Sequence, residues 1–151
     1  MIDFSYDLLE HVKASDITGL TEAYDISRLS DHSTQVGAAV GAAYGYNKVV
    51  SGVRMHAESL TIIENAKHGI SLRGRTMYAP WASCPECAAD IIVSGIGRVV
   101  VHHERMQMTC DRWIEQVKEG VDMLLAAGVR VEAVSHHFGK KITVDGTEVT
   151  L

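Results

Sequence analysis

Residues 75–134 alternate between strand patterns and helix patterns, and this alternation restricts the fold more than any other feature of the chain. The strand patterns cover residues 75–80, 98–103 and 129–134, and the helix patterns cover residues 84–94 and 110–127. Strand–helix–strand units form right-handed crossovers, which produce parallel strands covered by helices. The apolar run Arg98–His103 is typical of a strand buried on both faces. The sequence therefore predicts an α/β fold, a three-layer α/β/α sandwich.

The segment before this alternation has weaker patterns. Apolar residues at helical spacing predict two N-terminal helices, over residues 3–14 and about 20–29, with Gly19 as a break between them. Small residues and valines over 34–47 favour a strand or a tight hairpin. A short connection, 48–54, then leads into a helix over about 56–67.

The C-terminal residues contain Asp145-Gly146 between two alternating segments, which is a hairpin signal. No linker or repeat interrupts the chain. We therefore expect one domain over residues 1–151, with N-terminal helices in 1–30, a central core over 34–135 and a C-terminal hairpin over 138–151.

Composition narrows the class of protein. The 151 residues are 46% hydrophobic and 22% charged, as in globular domains. The net charge of −5 argues against a long nucleic acid as the main ligand, because phosphate backbones are bound by clustered Lys and Arg. A mononucleotide needs only one or two local cations and remains compatible.

The sequence also indicates the cellular location. No apolar run approaches the roughly 20 residues that span a bilayer, and the acidic N-terminus lacks the basic region of a signal peptide. Three cysteines cannot all pair, and two of them lie in Cys84-x-x-Cys87, which favours a reducing compartment. We expect a cytoplasmic protein without membrane contact.

Two short motifs carry the chemistry: His56-Ala57-Glu58 and Cys84-Pro85-Glu86-Cys87. Two thiolates and a neutral imidazole bind zinc, and three protein ligands leave the fourth tetrahedral position open, as in catalytic sites. A carboxylate beside such a site can transfer protons. We predict that His56, Cys84 and Cys87 bind Zn²⁺ and that Glu58 is the catalytic proton carrier.

The predicted helices explain how residues so distant in sequence could meet. His56 and Cys84 each fall in the first turn of a helix, and Cys84 and Cys87, three residues apart, lie on the same side of one turn. Two helix N-termini directed at one point favour thiolates there. Two alternatives remain open: a closed structural site and a redox-active Cys84–Cys87 pair. The candidates for the fourth ligand of a closed site are Cys110, His102, His103, His136 and His137.

The pattern His-x-Glu followed by Pro-Cys-x-x-Cys is the signature of zinc-dependent nucleobase deaminases. The chain resembles the cytidine and deoxycytidylate deaminase superfamily, and within it the deoxycytidylate (dCMP) deaminases, including those of bacteriophages. Further similarity lies in Gly45-Tyr46-Asn47, in Thr76-Met77-Tyr78 and in the segment from Ile92 to Val100. The resemblance implies a mixed, largely parallel five-stranded sheet and hydrolytic deamination of a cytosine nucleotide, dCMP to dUMP.

The same resemblance implies a set of substrate-binding residues. Asn47 would contact the sugar, and the backbone around Ala57 and Ala82 would hold the edge of the base. Trp81 could stack on a base, although an aromatic residue of the core or of an oligomer interface would look the same. Arg28 matches an arginine near the family's phosphate pocket, although a solvated arginine at a helix end would also fit. Family members are usually homo-oligomers, so we expect self-association.

Three departures from the family leave the substrate open. Ser83, which we expect in the wall of the substrate pocket as a sixth substrate-binding residue, stands where the family often has proline. Leu60 stands where its nucleotide deaminases commonly have asparagine. The connection from Asn47 to His56 is shorter than is usual in dCMP deaminases and nearer to that of nucleobase and tRNA deaminases. The alternative is therefore deamination of another nucleobase, nucleoside or tRNA base by the same chemistry.

Overall fold

The computed structural model describes residues 1–151 and contains a six-stranded sheet flanked by helices. In chain order the elements are β1 (Asp7–Leu8), α1 (Ala14–Ser27), β2 (Gly37–Val40), β3 (Ala43–Tyr46), β4 (Lys48–Val50), β5 (Val53–Met55), α2 (Ala57–Lys67), β6 (Thr76–Tyr78), α3 (Pro85–Ser94), β7 (Arg98–His102), α4 (His103–Gln107), α5 (Asp111–Ala126), β8 (Arg130–Val134), β9 (Lys141–Val144) and β10 (Thr147–Thr150). None of these helices is both long and apolar enough to cross a bilayer.

The strand order in the sheet is β1-β8-β7-β6-β2-β3. Strands β1, β8, β7 and β6 are mutually parallel, whereas β2 pairs antiparallel with both β6 and β3. Strands β4 and β5 form a separate hairpin, and so do β9 and β10. The mixed, largely parallel sheet is confirmed, but the expected count of five strands is wrong, because β1 adds a sixth at one edge.

The central strand β7 shows why the molecule has three layers. All five of its residues are buried, and successive side chains alternate between its two faces. Val99 and Val101 belong to the large apolar cluster that includes Ile91 of α3, whereas Val100 packs with Leu20 of α1. The strand is therefore covered on both sides, which confirms the α/β/α sandwich.

The predicted helix over residues 3–14 is wrong. No helix forms before Ala14, and Asp7 and Leu8 pair in parallel with β8, followed by a hydrogen bond from Leu9 N to Ala133 O of 2.9 Å. The pairing covers an open sheet edge, whose backbone groups need partners. Phe4, 2% exposed, inserts into the main core. Long-range pairing thus overrides a helical spacing that is real in the sequence.

Helix α1 begins at Ala14, earlier than predicted, and Gly19 lies inside it. A Cβ at Gly19 would overlap the ring of Tyr78, so the glycine allows the helix to lie close to β6 and does not break it. Asp16 is fully buried in the same helix and forms an ion pair with Arg98 at the start of β7.

Most of the remaining secondary-structure predictions are confirmed. The tight hairpin within 34–47 is β2–β3, and Gly41 in its turn has a φ of +63°. Helices α2, α3 and α5, strands β6 to β8 and the hairpin β9–β10 all lie where the sequence predicted them. The connection over 48–54 is itself the hairpin β4–β5, and α4 was not predicted.

Candidate metal and active site

Two helix N-termini hold the predicted metal ligands. His56 is the N-cap residue of α2, and Cys84 is the N-cap residue of α3, where its Sγ accepts a 3.5 Å hydrogen bond from Cys87 N. Pro85 occupies the first turn of α3, a position that needs no backbone N–H. Gly120 of α5 lies directly against Ser83 and Cys84, and a Cβ there would overlap the carbonyl of Ser83. Helix α5 thus packs closely against the backbone of Ser83 and Cys84.

The three predicted ligands converge. His56 Nδ1 lies 3.2 Å from Cys87 Sγ and 3.3 Å from Cys84 Sγ, and the three donor atoms lie within 4.8 Å of one another. In tetrahedral zinc sites, metal–ligand distances of about 2.3 Å to sulfur and about 2.0 Å to nitrogen place the two donors roughly 3.5 Å apart. The donor types and their spacing therefore fit zinc.

The cluster contains three donor residues, whereas a closed structural site requires a fourth protein ligand. Cys110 is half-buried and lines the adjacent cavity but does not belong to the cluster. His102 is fully buried elsewhere, with Nδ1 2.6 Å from the Tyr24 hydroxyl and Nε2 2.8 Å from His136 O. Three ligands without a fourth favour a site with an open coordination position.

Electrostatics at the cluster favour a thiolate at Cys84. A hydrogen bond with Cys87, together with the neighbouring His56, lowers the pKa of Cys84 to about 4. The hydrogen bond between Cys84 and His56 raises the pKa of His56 to about 9. Metal binding takes a deprotonated thiolate and a neutral imidazole, so it would release protons from this group.

Glu58, in the first turn of α2, is only 4% exposed. Burial raises the pKa of its carboxyl group above the ordinary value, with the nearby Cys84 adding to the effect. A carboxyl group whose pKa moves toward neutrality can both accept and donate a proton near physiological pH.

A second layer of contacts supports Cys87. Ser59 Oγ lies 3.8 Å from Cys87 Sγ and donates a 2.5 Å hydrogen bond to Asp90 Oδ2. Such outer contacts orient metal ligands. Neither residue was among the predicted site residues, although the helical spacing of Ser59 from His56 and of Asp90 from Cys87 would have placed both beside the site.

A cavity of about 520 Å³ adjoins the cluster, a size within the usual range of small-molecule sites. Its lining includes His56, Glu58 and Cys84. Five of the six predicted substrate-binding residues also line it: Asn47, Ala57, Trp81, Ala82 and Ser83. Arg28 does not, because it is exposed at the C-terminal end of α1.

Asn47 is 8% exposed and connects the cavity to the segment before β2. Its Oδ1 accepts a 2.9 Å hydrogen bond from Val36 N, and its Nδ2 donates a 2.8 Å hydrogen bond to Thr34 O. The amide side chain is therefore held in one orientation, with one N–H and one lone pair still free for a ligand.

The cavity wall also contains residues that were not predicted from the sequence. They come from the segment before β2, from the α4–α5 region and from the C-terminal hairpin, and include His32, Arg105, Thr109, Arg112, Val144 and Asp145. Arg105 is only 2% exposed and stands with its guanidinium 4.5 Å from the centroid of the Trp81 ring. Its position just after the buried strand β7, where ligand sites open in α/β sheets, was the one available signal.

Comparison with known proteins agrees with this geometry. The model of the cytidine and deoxycytidylate deaminase zinc-binding region matches residues 14–103, more than half of the chain. The chain belongs to this family. Zinc is therefore the cofactor, because the matched region is the zinc-binding region of the family. His56, Cys84 and Cys87 are the group that could hold it.

Individual relatives place the chain within the family. A deoxycytidylate deaminase of Enterobacteria phage T2 is 34% identical over 77 residues, which are 51% of this chain and 37% of that enzyme. The chain thus matches little more than a third of the phage enzyme's length. An uncharacterized deaminase of Aliivibrio fischeri is 31% identical over 121 residues, covering 67% of this chain and 80% of that protein.

The fold has solved counterparts. The dCMP deaminase of cyanophage S-TIM5 in its apo form superposes with a TM-score of 0.64 at 24% identity, covering 81% of this chain and 99% of that one. The same cyanophage enzyme has been crystallised with dCMP and dUMP. At this identity the likeness establishes the fold.

Proposed function

We propose that the protein is a hydrolytic deaminase of a free cytosine nucleotide, converting dCMP to dUMP with release of ammonia. The observation that carries this proposal is the convergence of His56, Cys84 and Cys87 beside the buried carboxyl group of Glu58, all next to one cavity. The phage relative named for this activity and the cyanophage enzyme crystallised with dCMP and dUMP support the choice of substrate.

Zinc held by His56, Cys84 and Cys87 would supply a water molecule of lowered pKa at the cavity wall. Glu58 would take a proton from that water as oxygen bonds to C4 of the cytosine ring, and would deliver it to N3. The second proton of the water would then pass through Glu58 to the amino nitrogen as the C4–N bond breaks. Water and cytosine are thereby converted to uracil and ammonia, and Glu58 returns to its starting state.

Other cavity residues would hold the substrate. We propose that Asn47, fixed by Val36 and Thr34, uses its free amide positions on the sugar. The backbone of Ala57 and Ala82 would bind the edge of the base, with Ser83 forming part of the same wall. Trp81 remains a candidate for stacking.

The test is replacement of Glu58 by Gln, which preserves shape and removes the proton carrier. Ammonia release from dCMP should fall by about 10²- to 10⁴-fold while zinc content and fold stay unchanged. The matched variant Cys84→Ala should instead lose zinc, as measured by metal analysis of the purified protein. Unchanged turnover in Glu58→Gln would contradict the proposed role.

A second candidate substrate class rests on Leu60 and on the short β4–β5 hairpin, both of which depart from the nucleotide deaminases of the family. A free base, a nucleoside or a tRNA base would then react by the same steps. Ammonia release assayed in parallel from dCMP, deoxycytidine, cytosine and guanine separates the two, since this alternative requires faster release from a compound other than dCMP.

Self-association is a further part of the proposal. Val49 and Val53 on the β4–β5 hairpin are 60% and 61% exposed, and Val93 of α3 is 87% exposed. Val50, 41% exposed, lies on the same hairpin as Val49 and Val53, and clusters of exposed apolar side chains are common at contacts between copies. Light scattering during size-exclusion chromatography should give a mass above the 16.5 kDa of one chain. The cytoplasmic location stays a prediction.

A further inference from the structure

Arg105 is a buried cation without a counter-ion. Its side chain is 2% exposed, and its Nη1 atom is buried without a hydrogen-bond partner. Burying an arginine is costly unless its charge is paired and its donors are satisfied. Because burial disfavours the charged form, the pKa of Arg105 falls to about 10, although the group stays protonated at neutral pH.

The carboxylate of Asp145 acts on Arg105 through its charge but is engaged in other contacts. Asp145 lines the same cavity, but its Oδ1 pairs with Arg112 Nη2 at 2.7 Å and accepts a 3.2 Å hydrogen bond from Thr34 Oγ1. No acidic side chain forms an ion pair with Arg105. The charge of Arg105 is therefore left for something that enters the cavity.

The guanidinium is held in place by its neighbours. Its central carbon lies 4.5 Å from the centroid of the Trp81 ring, within the range of a cation–π contact. The Trp81 ring is fixed in turn, because its Nε1 donates a 2.8 Å hydrogen bond to Thr109 Oγ1 and Thr109 donates a 2.7 Å bond to Met106 O. A fixed, unpaired arginine is preorganised to bind an anion.

The cavity that Arg105 lines is the one that contains Glu58 and the metal ligands. A volume of about 520 Å³ leaves room for more than a pyrimidine ring beside Glu58. The guanidinium fork matches the oxygens of a phosphate, to which it can donate two parallel hydrogen bonds. Arg54 and His32 also line this cavity and add positive or polar character.

We propose that Arg105 binds the phosphate of a nucleoside 5′-monophosphate and thereby selects nucleotides over nucleosides and free bases. This assignment rests on the proposed deaminase function for the rest of the ligand. The phosphate relieves the desolvation of a buried charge, whereas a neutral nucleoside leaves Arg105 unpaired. Selectivity then comes from the penalty on the ligand that lacks the anion.

Binding measurements on the zinc-loaded protein test the assignment without relying on turnover. Titration calorimetry with dUMP should show binding that weakens by about 100-fold in Arg105→Met, whereas binding of deoxyuridine should change by no more than about 3-fold. Arg105→Lys, which keeps the charge but not the fork, should weaken dUMP binding by about 10-fold. Arg130→Gln, at the amino end of β8, is the matched surface control and should bind dUMP like the wild type.

Inorganic phosphate is the second probe. It should raise the Tm of the wild type as its concentration increases and should leave the Tm of Arg105→Met unchanged, because a ligand stabilises only the form that binds it. Arg105→Met should also fold with a Tm near or above that of the wild type without phosphate, since methionine fills the space without a buried charge.

The outcomes separate this inference from the proposed function. Equal dUMP affinity in wild type and Arg105→Met, or an undiminished phosphate shift in the variant, overturns the role of Arg105 and leaves the deaminase proposal standing. A large loss of Tm in phosphate-free Arg105→Met would also overturn it, because the arginine would then be structural. Absence of dCMP turnover in a wild type that still binds phosphate through Arg105 would refute the proposed function alone.

Discussion

Two buried arginines stand near the two ends of β7, and their surroundings differ completely. Arg98 at the amino end is 7% exposed and donates four hydrogen bonds, two to Asp16 at 2.8 Å and two to Glu132 at 3.1 and 3.2 Å. Arg105, three residues beyond the carboxyl end, is 2% exposed and leaves a buried nitrogen without a partner. The fold satisfies one charge internally and leaves the other at the cavity.

This difference separates a structural role from a ligand-binding role. The carboxylates beside Arg98 tie α1, β7 and β8 together, and they hold its pKa above the ordinary value. Burial without such partners moves the pKa of Arg105 in the opposite direction. In parallel sheets, ligands bind at the carboxyl ends of the strands. A charged side chain there, such as Arg105, is therefore expected to lack some of its partners until a ligand binds.

The largest expected effect is on stability at the paired end. Arg98→Met should reduce the free energy of unfolding by about 3–5 kcal/mol, because it leaves Asp16 buried and unpaired. Arg105→Met should change it by less than about 1 kcal/mol, and the exposed control Arg130→Met by about 0.5 kcal/mol at most. Urea denaturation at neutral pH measures all three. Equal losses in the two buried-arginine variants would remove the distinction.

An intermediate effect is expected in acid. Hydrogen bonds from Arg98 hold the pKa of Asp16 below its ordinary value of 3.8. As the pH falls, the Asp16 carboxylate is therefore protonated at a higher pH in the unfolded chain than in the folded protein. The stabilisation is complete above the unfolded pKa and is lost as the pH drops through 3.8 toward the folded pKa.

Urea denaturation between about pH 6 and about pH 3 follows this loss. Arg105→Met should lose stability in acid as steeply as the wild type, and Arg98→Met less steeply. A shallower acid dependence in Arg105→Met would show that its charge also supports the fold.

The smallest expected effect concerns the Trp81 ring that holds Arg105. Trp81→Leu should cost about 1 kcal/mol through the lost cation–π contact and should weaken dUMP binding several-fold. Trp81→Phe keeps an aromatic face and should retain most of both, although it loses the hydrogen bond to Thr109. Calorimetry and urea denaturation give the two quantities. Full dUMP affinity in Trp81→Leu would show that Arg105 does not need this support.

The metal ligands could be predicted from the sequence because their signals are local. His56 and Cys84 each precede an amphipathic helix, and Cys84 and Cys87 are spaced by less than one turn. Strand β7 was equally predictable, because Val99, Val100 and Val101 form an apolar run that is typical of a buried strand. Each of these features is determined within about ten residues, so no distant contact is needed to find it.

The missed features depend on contacts between distant segments. Strand β1 forms because β8 has an open edge, and the sequence of residues 3–14 contains no local pattern that indicates this pairing. The hairpin β9–β10 was predicted, but its position beside the cavity follows from contacts such as Gly146 N to Ser33 O at 2.8 Å. Arg105 was missed because one arginine in a polar stretch looks solvated until its burial is known.

The central claim is that one cavity combines proton transfer at Glu58 with anion binding at Arg105. It is tested most directly by kcat/KM for ammonia release from dCMP and from deoxycytidine, compared in the wild type and in Arg105→Met. We predict that the wild type favours dCMP by about 100-fold or more and that the preference falls at least tenfold in Arg105→Met through dCMP alone. Equal kcat/KM for the two compounds in the wild type, or an unchanged preference in the variant, would contradict the account.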